Sequence, residues 1–175
     1  MHASVMAFVR EVVEKHGLRD TRVLEIGSLN VNGSVRPIFG ETKWDERLPY
    51  QEQRYVGIDI RDGPAVDVVM RARDIGERFP AEWADVVVCC EMLEHDDDPL
   101  ETMRQIAHVL RKGGRLIVTT RGIGFQLHEY PSDYWRFTEA AARDVLAPMA
   151  GLDPKTVEVR ADPQASGVFM TGVQT

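Results

Sequence analysis

The chain has 175 residues, 43% of them hydrophobic and 28% charged, with a formal net charge of -7. That length buries one good core and is too short for two ordinary domains, so a single domain over residues 1–175 is expected. The acidic balance excludes bulk affinity for a nucleic-acid backbone, and two cysteines side by side, Cys89 and Cys90, exclude a disulfide framework or a cysteine-rich zinc cluster.

The chain starts Met1-His2-Ala3-Ser4, without the basic start and apolar centre of a secretory leader. No apolar run approaches the ~18 residues of a membrane helix, so a cytoplasmic protein with no membrane partner is expected. Val5, Val9, Val12 and Val13 keep helical spacing, and Gly17 suits a left-handed helix end. Val23-Leu24-Glu25-Ile26 then forms a short apolar run that stops at Gly27, the length and punctuation of a buried strand. Similar runs occur at Tyr55 to Ile60, Val66 to Met70, Ala84 to Cys90 and Arg115 to Thr120. Between the last two, Leu100, Met103, Ile106, Ala107 and Leu110 predict a helix with Asp98 as its cap and Pro99 in its first turn, closing at Lys112-Gly113-Gly114. A further helix, capped by Thr138, spans about Glu139 to Met149, followed by strand-like Thr156 to Arg160 and Gly167 to Val173. Arg36 to Arg54, with Trp44 and two prolines, reads as a long loop or a helix with a loop. Strands alternating with helices predict an α/β, Rossmann-like, doubly wound sheet.

In such a sheet the ligand sits at the carboxyl ends of the strands. The first strand ends in Glu25-Ile26-Gly27-Ser28, with Asn32-Gly33-Ser34 close behind, and the second ends in Asp59-Ile60, whose carboxylate can accept from both hydroxyls of a ribose. A dinucleotide would set its pyrophosphate against the first turn, where Glu25 repels it and where a G-x-G-x-x-G pattern is missing. S-adenosylmethionine has no phosphate, and its ammonium and sulfonium charges suit a nearby carboxylate. A nicotinamide-dependent oxidoreductase is the disfavoured alternative.

Val23-Leu24-Glu25-Ile26-Gly27, Val56-Gly57-Ile58-Asp59, Ala84-Asp85-Val86-Val87-Val88 and Leu110-Arg111-Lys112-Gly113-Gly114-Arg115-Leu116, in that order, resemble the class I S-adenosylmethionine-dependent methyltransferases, small bacterial single-domain members above all. The resemblance implies seven strands, mostly parallel with the last antiparallel. It also implies Glu25 and Gly27 near the methionine part of the cofactor, Asp59 on the ribose, and Asp74-Ile75 beside the adenine. Ser28, Asn32, Gly33 and Ile60 join this set, with Cys90 and Glu91 lining the methionine end. The spacing from Gly27 to Gly33 is longer than the family's usual acid-x-glycine-x-glycine-x-glycine pattern.

Methyl transfer also needs an acceptor wall and, for a hydroxyl, a base. The loop from His128 to Thr138 gathers an imidazole, carboxylates, phenols, an indole and a guanidinium. His128, Tyr130, Asp133, Tyr134, Trp135 and Arg136 are therefore the expected substrate residues, and His128 the expected general base. Glu91, Glu94, His95, Asp96, Asp97 and Asp98 are read as capping and helix-terminus acids and no metal site is expected, with Leu93-Glu94-His95 closing the pocket floor. The expected partner is a small-molecule acceptor offering oxygen or nitrogen, such as a sugar or a secondary metabolite, with no DNA. A binding module that keeps the cofactor pocket without catalysis is the alternative reading.

Overall fold

The computed structural model describes residues 2–40 and 42–175. Strand β1 (Val23–Ile26) is wholly buried because it is the middle of the sheet, paired in parallel with β2 (Tyr55–Asp59) on one side and β4 (Ala84–Cys90) on the other. The short β3 (Val68–Val69) borders β2, and β5 (Leu110–Arg121) runs parallel to β4. The sheet is completed by β6 (Glu158–Ala161) and β7 (Gly167–Val173), in the order β3-β2-β1-β4-β5-β7-β6. The last strand, β7, is antiparallel to both neighbours, and seven strands agree with the resemblance.

Both faces are covered. Helix α1 (Ala3–His16) lays Val5, Phe8, Val9, Val12 and Val13 on one face with Phe39, Tyr55 and Phe169, and Gly17 ends it at φ 62°. The other face receives α2 (Ile75–Arg78) and α3 (Pro99–Val109), and a helical stretch over 139–149 that we call α4. Asp98 caps α3 by accepting from the Glu101 amide at 3.1 Å, and Thr138 caps α4 by accepting from Ala141 at 3.0 Å. The middle of α4, Ala142–Leu146, widens into a π-helical turn just before Pro148, which has no N–H to give.

Several boundaries differ from the sequence reading, β2 stopping at Asp59 instead of Ile60 and β5 running from Leu110 to Arg121 instead of Arg115 to Thr120. Strand β3 is shorter because the run from Val66 opens as a turn, Val66 donating to the Gly63 carbonyl. Helix α3 stops at Val109, before Lys112, because the end of β7 claims that segment: Gly113 donates to the Gln174 carbonyl and the Gln174 amide to that of Gly114. Strand β6 starts at Glu158, since Thr156 is held in a turn on Asp153.

The stretch from Arg36 to Arg54, leaving aside Glu41, which lies outside the described residues, is a loop with two 3-10 turns, Arg36–Phe39 and Tyr50–Glu52. The side-chain amide of Gln53, buried, folds the loop back by donating to the carbonyls of Asp45 and Leu48. Arg36 fastens its start: the guanidinium pairs with Asp67, donates to the Ala65 carbonyl at 3.0 Å and lies 4.6 Å over the Tyr55 ring. Asp67 in turn accepts from the Gly57 amide at 2.7 Å. Removing the cation leaves a mostly buried carboxylate without its counter-charge. Arg36→Met is expected to cost about 3 kcal/mol in a urea unfolding titration. Arg36→Lys should recover only part of it, because an ammonium lacks the planar fork that reaches Asp67 and Ala65 together.

Candidate active site

A cavity of about 820 Å³ opens at the carboxyl ends of β1, β2, β4 and β5. Its back wall turns on Gly27, which adopts φ 76°, and a Cβ there would stand 2.7 Å from the Met92 side chain. The amides that follow point into the protein: Gly27 and Ser28 both donate to the Ile58 carbonyl, Leu29 to the Asp59 carboxylate, Asn30 to the Pro64 carbonyl, and Gly33 to the Asn30 side chain. These N–H groups are spent within the chain, so the turn is no cradle for a phosphate, which needs a row of free amides.

Asp59 stands on the wall with both oxygens fixed, Oδ2 by the Leu29 amide at 3.2 Å and Oδ1 by the Arg61 amide at 3.1 Å. Each carboxylate oxygen keeps a further lone pair for a ligand hydroxyl. Gly27, Asn32, Gly33, Ile60, Cys90 and Glu91 line the same cavity, as do His128, Tyr130 and Tyr134. Burial pushes the Cys90 thiol up to about 12, making it an inert wall.

Four expected cofactor contacts lie elsewhere. Glu25 is 2% exposed and points to the α1 side of the sheet, away from Ile26 and Gly27, accepting from the Tyr55 hydroxyl at 2.8 Å. Ser28 is buried behind the wall. Asp74 ends a 3-10 turn, Ala72–Asp74, and Ile75 drops into the core, so that Met70, Arg71, Ala72 and Arg73 provide the lining there instead. Glu91 lines the cavity with its charge already matched, paired with the buried Arg121 and accepting from the Thr119 hydroxyl at 2.9 Å. Arg121, which the sequence reading overlooked, is signalled only by its place at the end of β5. It also faces Asp162 at 3.5 Å and the Phe125 ring at 4.3 Å.

Of the expected substrate residues, Asp133, Trp135 and Arg136 build the loop and do not line the cavity. The Asp133 carboxylate accepts from Arg136 Nη2 at 2.7 Å and from the His128 amide at 2.8 Å, and the Arg136 guanidinium beside it holds its carboxyl well below the usual carboxylate range. Arg136 also donates to the carbonyls of Phe125 and Gln126, while the Trp135 indole donates to the Asp96 carbonyl at 2.8 Å. The loop is thereby docked on residues 94–96, where the Tyr134 amide donates to the Glu94 carbonyl at 2.8 Å.

Docking brings two imidazoles to one buried acid. Glu94 is wholly buried, and Oε2 accepts from the Thr120 hydroxyl at 2.7 Å. Its Oε1 has no hydrogen-bond partner among the described residues and lies 3.9 Å from His95 Nε2 and 3.8 Å from His128 Nε2. Burial raises the Glu94 carboxyl above its ordinary range. The far nitrogens are oriented too: His95 Nδ1 meets the Ser132 carbonyl at 2.5 Å, and His128 Nδ1 faces Asp133 Oδ2 at 3.1 Å. The Ser132 carbonyl is an acceptor, which puts the proton of His95 on Nδ1 and leaves its Nε2 a lone pair, whereas the His128–Asp133 contact is an approach without hydrogen-bond geometry.

Residues 3–142 match the family model described as a methyltransferase domain. A ubiquinone biosynthesis O-methyltransferase of Pseudomonas aeruginosa is 28% identical over 126 residues, covering 64% of this chain and 49% of that protein. The chain thus spans about half the length, or less, of the curated relatives it matches. Among solved structures, the 1,6-didemethyltoxoflavin-N1-methyltransferase of Burkholderia thailandensis, with bound 1,6-didemethyltoxoflavin and S-adenosylhomocysteine, superposes with a TM-score of 0.69 at 18% identity, covering 98% of this chain and 78% of that one. The magnesium protoporphyrin IX methyltransferase of Synechocystis, with bound S-adenosylmethionine, gives 0.65 at 15% identity and the same coverages, 98% and 78%. No helix among the described residues is long and apolar enough to cross a membrane.

Burial raises the Glu25 carboxyl from 4.5 to about 7, against the opposing pull of the Tyr55 hydrogen bond. A raised acid binds its proton more tightly when folded, so its contribution to stability is complete below pH 4.5 and is lost as pH rises through about 7. Glu25→Gln should abolish that dependence. In urea titrations from pH 4.5 to 8, the wild type is expected to lose on the order of 3 kcal/mol relative to the variant; parallel curves would refute the assignment.

Proposed function

Because this chain belongs to the S-adenosylmethionine-dependent methyltransferase family, we propose that it moves the methyl group of that cofactor onto an oxygen or nitrogen of a small-molecule acceptor, a hydroxyl first. The cavity carries this reading: a fixed carboxylate, Asp59, stands beside a turn whose amides are already used, which suits a ribose without a pyrophosphate. Met70 and Ala72 offer apolar surface beyond Asp59 for an adenine, and Gly27 lets the backbone approach the methionine part. The hydroxyl preference follows the P. aeruginosa relative, an O-methyltransferase by name.

The bound cofactor supplies an electrophilic methyl group on a cationic sulfur. The chain's own work is alignment: Asp59 holds one end, the Cys90–Met92 segment forms the wall between the two substrates, and the 128–136 loop bounds the acceptor. His128 is the acceptor-side group on which proton removal depends, its Nδ1 facing Asp133 at 3.1 Å and its ring on the cavity wall.

In calorimetric titration the chain is expected to bind S-adenosylhomocysteine and not NAD. Asp59→Ala should weaken that binding by about 1.5–3 kcal/mol through loss of a charge-assisted bond, and unchanged affinity would remove Asp59 from the ribose. In a screen that follows S-adenosylhomocysteine release, His128→Asn should lower kcat by about 10²–10⁴ on the acceptor found, with cofactor affinity kept. Full turnover by that variant would remove His128 from the reaction.

A further inference from the structure

We propose that Glu94, His95 and His128 form a binding site for one divalent first-row transition-metal ion at the acceptor end of the cavity. One ligand atom from each residue lies within 4.8 Å of the other two. The decisive atom is Glu94 Oε1. It sits on a wholly buried side chain, has no hydrogen-bond partner among the described residues, and looks at two Nε2 atoms at distances too long for hydrogen bonds. A buried carboxylate oxygen left in that position costs free energy unless something sits between it and the imidazoles.

The surroundings are those of a metal site one layer out. The far nitrogen of His95 is pinned by the Ser132 carbonyl, an arrangement that fixes the tautomer and makes the near nitrogen more basic, and the far nitrogen of His128 faces the Asp133 carboxylate at 3.1 Å. Two imidazoles and one carboxylate favour a transition ion over magnesium or calcium, which prefer oxygen throughout. His95 and His128 line the cavity and Glu94 lies behind them, so an ion held by the three would have coordination positions open to the cavity, the pattern of sites that take water or substrate. The other acids of the segment are engaged: Asp98 caps α3, Asp96 accepts from the Thr102 hydroxyl, and Asp97 pairs with Arg73. The sequence reading gave these acids to capping and the helix terminus, set Leu93-Glu94-His95 on the pocket floor and expected no metal; Glu94 Oε1 is the oxygen those duties leave over.

The chemistry rests on the methyl-transfer reading. An acceptor hydroxyl bound to the ion becomes more acidic and gives its proton to solvent. Its freed electron pair forms the oxygen–carbon bond to the methyl group as the carbon–sulfur bond breaks onto sulfur. His128 then acts as a ligand.

The test is titration of zinc(II) into the full chain after chelator treatment, with metal content measured before and after. One ion per chain is expected. Glu94→Gln, which keeps the Thr120 hydrogen bond, and His95→Asn should each weaken zinc binding at least tenfold, and Asp133→Asn about 10–100-fold. If Glu94→Gln fails to fold, His128→Asn at the partly exposed ring gives the same reading. S-adenosylhomocysteine titration of each variant should match the wild type. No saturable zinc binding, or binding equal in wild type and variants, overturns the site. Zinc binding of the expected kind without S-adenosylhomocysteine binding would keep the site and overturn the methyl-transfer reading; the converse pattern would do the opposite.

Discussion

The carbonyl oxygen of Ile58 accepts from two consecutive amides, those of Gly27 and Ser28, and the cavity is shaped by that pair of bonds. They draw the chain leaving β1 sideways over the end of β2, in a turn that only a residue tolerant of φ 76° beside Met92 can make. The same movement places the Leu29 amide on Asp59. A turn that spends its donors on the neighbouring strand offers a ligand shape and one fixed carboxylate, and no concentration of positive dipole. Preference for a phosphate-free nucleoside is thus built into backbone geometry, upstream of any side chain in the pocket.

Two buried acids show how position decides what a carboxyl does. Glu25 is sealed between β1 and α1 with a phenol as its partner, and burial brings its proton affinity close to neutrality. Its charge therefore does not face the cavity, and the sequence argument from repulsion of pyrophosphate reached the right ligand class by a route the structure replaces with the inward-turned amides. Glu94 is buried as deeply, yet its side chain ends against two imidazoles from different loops. One acid is sealed behind the sheet, away from the cavity; the other is a ligand in waiting.

Much of the fold was legible because its signals are local. Continuous apolar runs of four to seven residues marked the buried strands β1, β4 and β7, and Asp98-Pro99 and Thr138 marked helix starts through their own amide bonds. Where the reading missed, a distant segment had intervened, as where Gln174 ended α3 early; the stretch from Arg36 to Arg54, read as a long loop or a helix with a loop, is the loop, fastened by Arg36 and Gln53. The site followed the same division. Asp59, Gly27 and His128 could be placed from strand ends and composition. The direction of the Glu25 side chain depends on strand parity against α1, the displacement of Asp74 on a 3-10 turn, and the joining of Glu94 to His128 on how one loop docks upon another. Arg121 was hidden for a related reason, since a cation in a buried strand gains meaning only from Glu91 and Asp162.

That docked loop also connects the two halves of the cavity. Its core is the Asp133–Arg136 pair, which fixes the loop backbone through Phe125, Gln126 and His128 and sets the His128 ring beside Asp133 at the acceptor end. Toward the other end the loop presents Tyr130, whose ring lies 3.7 Å from the guanidinium of Arg61. The backbone amide of that same arginine holds Asp59 Oδ1. A short chain of contacts, Asp59 to Arg61 to Tyr130 to the His128 loop, therefore links the carboxylate assigned to the ribose with the group assigned to the acceptor. A cation–π contact at a partly exposed site is worth only about 0.5–1 kcal/mol, too little to hold the loop shut and enough to bias where Tyr130 rests. The strong bonds of the loop are internal and set its shape, whereas its tie to the cofactor half is weak, so the cavity can admit its ligands without dismantling the structure that orients His128.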